Sequence, residues 1–144
     1  EEAYRFARLV NHQQGFSLIC ELSKANNWNI DLSEIARVWT NGCIIRSALM
    51  EKLIVIFKTE TDMLNSKPFV QKLTQAEEAV SLYLKNVIEA KVPSPVISSA
   101  YQYWLGMSTE KLPANILQAQ RDFFGAHTYE RIDEKQGVFF HTNW

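Results

Sequence analysis

Two side chains near the end of the chain have the types needed to hold an anion. They are Arg121 and His127, six positions apart in "ANILQAQRDFFGAHTYE" (residues 114–130), with Gly125 between them. Arginine presents a planar fork of donors that fits phosphate or carboxylate. Histidine adds a donor to the same group or to a neighbouring hydroxyl. In an unbroken helix, residues six apart sit about 240° around the axis and point away from each other. Gly125 offers a way out. As the residue just past the helix, it is expected to take the left-handed conformation and turn the chain back. Phe123 and Phe124 are expected to anchor the helix end in a core. The chemistry of the segment leaves two readings open. In one, guanidinium and imidazole converge on an anionic ligand. In the other, Arg121 pairs with Asp122 or another surface acid and His127 makes a local cap bond.

The rest of the chain offers little competing chemistry. The five glycines, at positions 15, 42, 106, 125 and 137, are too widely spaced for a dinucleotide fingerprint, and no P-loop is present. There is no H-E-x-x-H, no C-x-x-C and no nucleophile elbow. Three histidines spread along the chain, His12, His127 and His141, give a metal site little to draw on. No complete catalytic apparatus is visible.

The elements that must position Arg121 and His127 read as helices. Apolar residues at Ala3, Phe6, Ala7, Val10, Leu18, Ile19, Leu22 and Ala25 recur near a 3.6 period and predict a helix over 3–26. Gly15 within it suggests close helix packing, and Asn26, Asn27 and Asn29 end it. Asp31 or Ser33 is expected to cap a short helix, "LSEIARVW". A third is expected from Cys43 to about Thr59. Thr74 with Glu77 reads as a capping box opening a fourth, which runs to about Lys91. Ser94 and Pro95 start a fifth that runs to about Met107, and Pro113 a sixth that ends near Phe124. Beyond Gly125, "HTYERI" and "VFFHT" flank the charged, glycine-ended "DEKQG", the pattern of a short hairpin or extended tail. The expected architecture is all-α, about six helices with a non-helical C-terminal tail.

At 144 residues, one domain is the prior, and 47% hydrophobic with 22% charged residues places the chain among globular proteins. A net charge of -1 supplies no global field to hold nucleic acid or an anionic membrane. The longest apolar run, "LIVIF" at 53–57, is far too short to span a bilayer. The chain opens "EEAYRFARL" without an initiator methionine or a signal pattern, so a piece of a longer protein is expected. Cys20 and Cys43 each sit in apolar stretches and read as buried free thiols.

With those residues in place, the chain resembles the C-terminal end of the 6-phosphogluconate dehydrogenase family. "LPANILQAQRDFFGAHTYERID" (112–133), "FHTNW" (140–144), "WTNGCIIRS" (39–47) and "QGF" (14–16) match in family order across nearly the whole chain. The resemblance implies an enzyme that oxidatively decarboxylates 6-phosphogluconate to ribulose 5-phosphate with reduction of NADP, located in the cytoplasm. It implies a homodimer in which the tail of one subunit reaches the active site of the other. By the R-D-aromatic-F-G-A-H motif it assigns Arg121 and His127 to the substrate of the partner subunit. On this reading residues 1–124 form the helical dimerisation and substrate domain and 125–144 the exchanged tail. The family's lysine base, its glutamate acid and its Rossmann domain belong to segments preceding Glu1. The isolated chain is therefore expected to be inactive, with no metal and no cofactor-binding residue of its own. Thr40-Asn41 stands where the family often has Arg-Gly, and Phe123 where tyrosine is common, which marks a divergent member.

Two other readings stand beside this one: a stand-alone, non-catalytic helical dimerisation module, and a related hydroxyacid dehydrogenase acting on an unphosphorylated substrate. Of the remaining residues, Arg46 is expected mid-helix in a buried structural ion pair or in helix packing rather than at a ligand. Trp39, Tyr101, Tyr103 and Trp104 are expected in core or interface, and His12 and His141 in structural roles. The "EKLIVIF" stripe is expected to be buried within the chain or against another subunit.

Overall fold

The computed structural model describes all residues 1–144 and is all-α. In chain order, α1 is Glu2–Asn26, α2 Leu32–Trp39, α3 Ala48–Ile56, then a 3-10 turn at Met63–Asn65, α4 Lys67–Glu89, α5 Pro95–Ser108 and α6 Ala114–Gly125. Two short strands close the chain, β1 Tyr129–Glu130 and β2 Phe139–Phe140, paired antiparallel with Tyr129 opposite Phe140. The helices and the terminal hairpin are those the sequence pattern predicts. Contacts divide the chain into two compact units, Glu1–Trp104 and Leu105–Trp144, so α6 belongs with the tail.

In the first unit, α1 packs on α4 and α2 on α3. Its core is Phe6, Val10 and Phe16 from α1, Met50 and Leu53 from α3, Met63 from the 3-10 turn, Phe69, Leu73 and Val80 from α4, and Trp104 from α5. The aromatic residues interlock: Phe6 meets Trp104 edge-on at 6.3 Å, and Phe16 lies between Trp39 and Phe57 at 5.3 and 4.6 Å. Trp104 also donates through Nε1 to Glu77 Oε2 at 3.2 Å. Both cysteines are free and half-buried.

Several local expectations are corrected. Past Phe16 the inner face of α1 runs through half-buried Cys20 and buried Ser23, while Leu18 and Leu22 are exposed. Ser23 earns that place because its hydroxyl accepts the Ile30 N–H at 2.9 Å, tying down the turn after α1. Gly15 has open space where a Cβ would stand, so close packing within this chain does not explain it. Asn27, at φ 56, ends the helix in the left-handed conformation, as the asparagine cluster suggests.

Helix α3 begins five residues later than the pattern implies. Residues 43–46 form a turn closed by Arg46 N–H to Cys43 O at 3.0 Å, and Ser47 caps the helix by accepting the Met50 N–H at 3.4 Å. Arg46 is therefore an exposed turn residue, and Ile44 is fully exposed. The Thr74–Glu77 capping box does not form either. Pro68 sits in the first turn of α4 and starts it seven residues sooner, because its fixed φ suits that position. Thr74 instead donates its hydroxyl back to Val70 O at 3.2 Å from mid-helix.

Candidate functional site

The second unit is organised around one carboxylate. Asp122 is 0% exposed and is the only buried residue of α6. Its Oδ1 accepts the Thr128 N–H at 3.0 Å and the His141 Nδ1–H at 2.9 Å. Its Oδ2 accepts the Thr142 N–H at 3.0 Å and the Trp144 Nε1–H at 3.1 Å. Burial alone would raise this carboxyl. The bonds from Thr142, His141, Trp144 and Thr128 outweigh it and hold the group down to about 2. A full set of donors is what lets a charge sit out of water.

These bonds fold the chain back on itself. The helix closes with Ala126 N–H to Asp122 O at 2.8 Å, and Ala126 takes the left-handed conformation at φ 49. Thr128 follows at φ 58. The left-handed turn expected at Gly125 is therefore made by Ala126 and Thr128, and Gly125 remains the last helical residue. The glycine has another reason. A Cβ on it would stand 3.0 Å from His127 Nε2 and 3.2 Å from Cδ2, so the imidazole lies directly against the bare Cα.

Beyond Thr128, Tyr129 opens the hairpin, and its hydroxyl pairs with Thr142 Oγ1 at 2.7 Å. At the hairpin turn Gly137, at φ 87, gives its N–H to Glu130 Oε1 at 2.6 Å. Arg131 lies over the Phe140 ring at 5.3 Å and binds Asp133. The chain then returns to Asp122 through His141, Thr142 and Trp144.

Arg121 and His127 flank this arrangement, and both are exposed. Arg121 Nη1 donates to Gln118 Oε1 at 3.3 Å, not to Asp122. The same Gln118 donates through Nε2 to Thr128 O. A cleft of about 460 Å³ opens between α6 and the hairpin, lined by Asn115, Gln118, Tyr129, Arg131 and Asp133 among others, and neither Arg121 nor His127 lines it. Both side chains stand open on the surface of this unit, outside that cleft.

Phe123 and Phe124 do not anchor the helix in a core. They are 58% and 74% exposed, and Phe123 meets Trp144 edge-on at 5.8 Å. Asp122 occupies the inward position between Arg121 and these rings, which turns them outward. Ile116, Leu117, Ile132 and Phe139 of the same unit are also exposed.

Sequence reasoning missed Asp122 and Gln118 as organising residues. Gln118 lies one turn before Arg121 and Asp122, a spacing that places it beside both. His141, expected to be structural, is so through Asp122. His12 is structural too: its Nδ1–H donates to Arg8 O at 2.6 Å, and burial pushes its pKa down. No group of three His, Cys, Asp or Glu is placed to hold a metal ion, and no helix is long and apolar enough to cross a membrane.

The family model described as "6-phosphogluconate dehydrogenase, C-terminal domain" matches residues 1–144. A decarboxylating 6-phosphogluconate dehydrogenase of Treponema pallidum is 40% identical over all of this chain and 30% of its own length. One of Aggregatibacter actinomycetemcomitans is 42% identical over 96% of this chain and 29% of its own. A solved structure of Plasmodium falciparum 6-phosphogluconate dehydrogenase, described in its apo form and in complex with its cofactor NADP+ and its substrate 6-phosphogluconate, superposes with a TM-score of 0.89. It is 29% identical and covers 99% of this chain, which spans 31% of it. The chain thus spans less than a third of the length of these relatives.

Proposed function

The chain belongs to the 6-phosphogluconate dehydrogenase family, as its C-terminal domain, and from that premise we propose a function for the protein that carries it. The full-length protein oxidatively decarboxylates 6-phosphogluconate to ribulose 5-phosphate while reducing NADP+, in the cytoplasm. Residues 1–124 serve dimerisation and the substrate domain. The tail, 125–144, reaches the partner subunit, and Arg121 and His127 bind the sugar acid held there.

The observation that carries this reading is the exposed pair Arg121 and His127 on a corner locked by a buried carboxylate. The guanidinium supplies two parallel donors to a phosphate, and the imidazole supplies a third to the same group or to a sugar hydroxyl. The exposed Ile116, Leu117, Phe124 and Phe139 support a second subunit as the other wall. The glycines of this chain form no dinucleotide fingerprint, and on this reading NADP+ is held by the rest of the full-length protein.

Turnover is the test. The full-length protein given 6-phosphogluconate and NADP+ is expected to release carbon dioxide, ribulose 5-phosphate and NADPH in equal amounts, with gluconate a far poorer substrate. No turnover, or equal turnover of gluconate, overturns the proposal.

Gly125 yields a sharper prediction. In Gly125→Ala the added methyl forces the imidazole to give by a few tenths of an ångström. An exposed ring can do so cheaply, and alanine favours the helix by about 1 kcal/mol at most. The melting temperature is expected to hold or rise while KM for 6-phosphogluconate climbs roughly threefold to tenfold, the cost of misplacing one contact. Thermal melts beside steady-state kinetics check both halves.

A further inference from the structure

Resting on the substrate-binding reading above, we infer that Asp122 and Gln118 are positioning residues: they grip the backbone of Thr128 from both sides and thereby hold His127 at a fixed offset from Arg121. Thr128 gives its N–H to Asp122 Oδ1 at 3.0 Å and its carbonyl takes a bond from Gln118 Nε2. With both backbone groups held, the peptide planes on either side of Thr128 are fixed. The plane on the near side contains the His127 carbonyl, so the backbone from which the imidazole projects is set.

Arg121 joins the same scaffold through its Nη1 bond to Gln118 Oε1 at 3.3 Å. One side-chain amide thus links the cation to the residue after the imidazole. Its polarity is set by chemistry, because only the NH₂ end can serve a carbonyl and only the oxygen end a guanidinium.

The corner needs such support. Ala126 and Thr128 hold φ of 49 and 58, a region that side-chain-bearing residues avoid unless their surroundings impose it. The support is itself anchored. The second oxygen of Asp122 is fastened by Thr142 N–H and Trp144 Nε1–H, and His141 shares the first. The carboxylate has no freedom to swing away from Thr128. Because Asp122 is fully buried, its effect on a ligand runs through the corner it fixes.

The test is a pair of double-mutant cycles in the full-length protein. Asp122→Asn keeps the volume but turns an amide NH₂ toward two N–H donors. Gln118→Met keeps the length and removes both bonds. Each is expected to raise KM for 6-phosphogluconate roughly tenfold, with kcat and KM for NADP+ unchanged within about twofold. A second Asp122→Asn or Gln118→Met change in a His127→Ala background is expected to add little, because the residue that the brace positions is gone. Penalties that simply multiply overturn the inference, since generic structural damage would be indifferent to the background.

Should Asp122→Asn fail to fold, the Gln118→Met cycle decides alone by the same criterion. Should the wild type ignore 6-phosphogluconate, the functional reading fails, and the brace is judged by the His127 imidazole resonances. These must shift in Gln118→Met if the brace is real, and unchanged resonances overturn it.

Discussion

Arg121→Ala in the full-length protein is expected to raise KM for 6-phosphogluconate by roughly ten- to hundredfold. The estimate follows from a charge-assisted hydrogen bond being worth about 1.5–3 kcal/mol, with each 1.4 kcal/mol about tenfold. The guanidinium is exposed, and its one intramolecular hydrogen bond runs to Gln118 at 3.3 Å. The substitution therefore leaves no buried group orphaned, and the melting temperature is expected to stay put. Arg121→Lys is expected to recover only part of the loss, because an ammonium keeps the charge without the planar fork. Steady-state kinetics on the three proteins check the ordering. A KM unmoved by alanine would remove Arg121 from the substrate.

Acid is expected to release the tail in a narrow window. The Asp122 carboxyl sits at about 2 in the folded chain, below its ordinary value of 3.8. Between those values the unfolded state binds the extra proton, so stability rises with pH there. The contribution of the clamp is complete above about pH 4 and is lost as pH falls through 2. Protonation turns one acceptor oxygen into a donor facing the two N–H groups bound to it, Thr128 and His141 on Oδ1 or Thr142 and Trp144 on Oδ2, and that half of the clamp fails. The Trp144 indole N–H resonance reports this directly, because that proton points at Oδ2. Its titration is expected to show a midpoint near 2. A midpoint at the ordinary carboxylate value would mean that the four donors give the ionised form no advantage.

The helices were legible because each obeys a local rule. The apolar spacing of α1, Asp31 before α2, Pro95 opening α5 and the run after Pro113 all act within a few residues. Asp31 indeed accepts the N–H groups of Ser33 and Glu34. The misreadings also have local causes. Pro68 outcompeted Thr74 for the start of α4, and Ser47 outcompeted Cys43 for the start of α3. The family was readable in the sequence because Arg121, Gly125 and His127 fall in one uninterrupted stretch.

The interior of the tail was not readable. Asp122 looks like any helical acid beside an arginine, and three of its four donors come from the far side of the hairpin. No periodicity connects positions that a turn brings together. Phe123 and Phe124 were misplaced for the same reason. Aromatic rings suggest a core by their chemistry, but the inward slot of α6 had already gone to a charge.

That charge has a practical consequence for anyone handling the protein. Since the corner beneath His127 is held by groups drawn from residues 141, 142 and 144, a cut by a contaminating protease between the hairpin and these residues would spare every helix of this chain. Circular dichroism would pass such a sample as sound. Intact-mass spectrometry before each kinetic run is the check that distinguishes a clipped preparation from a weakened variant.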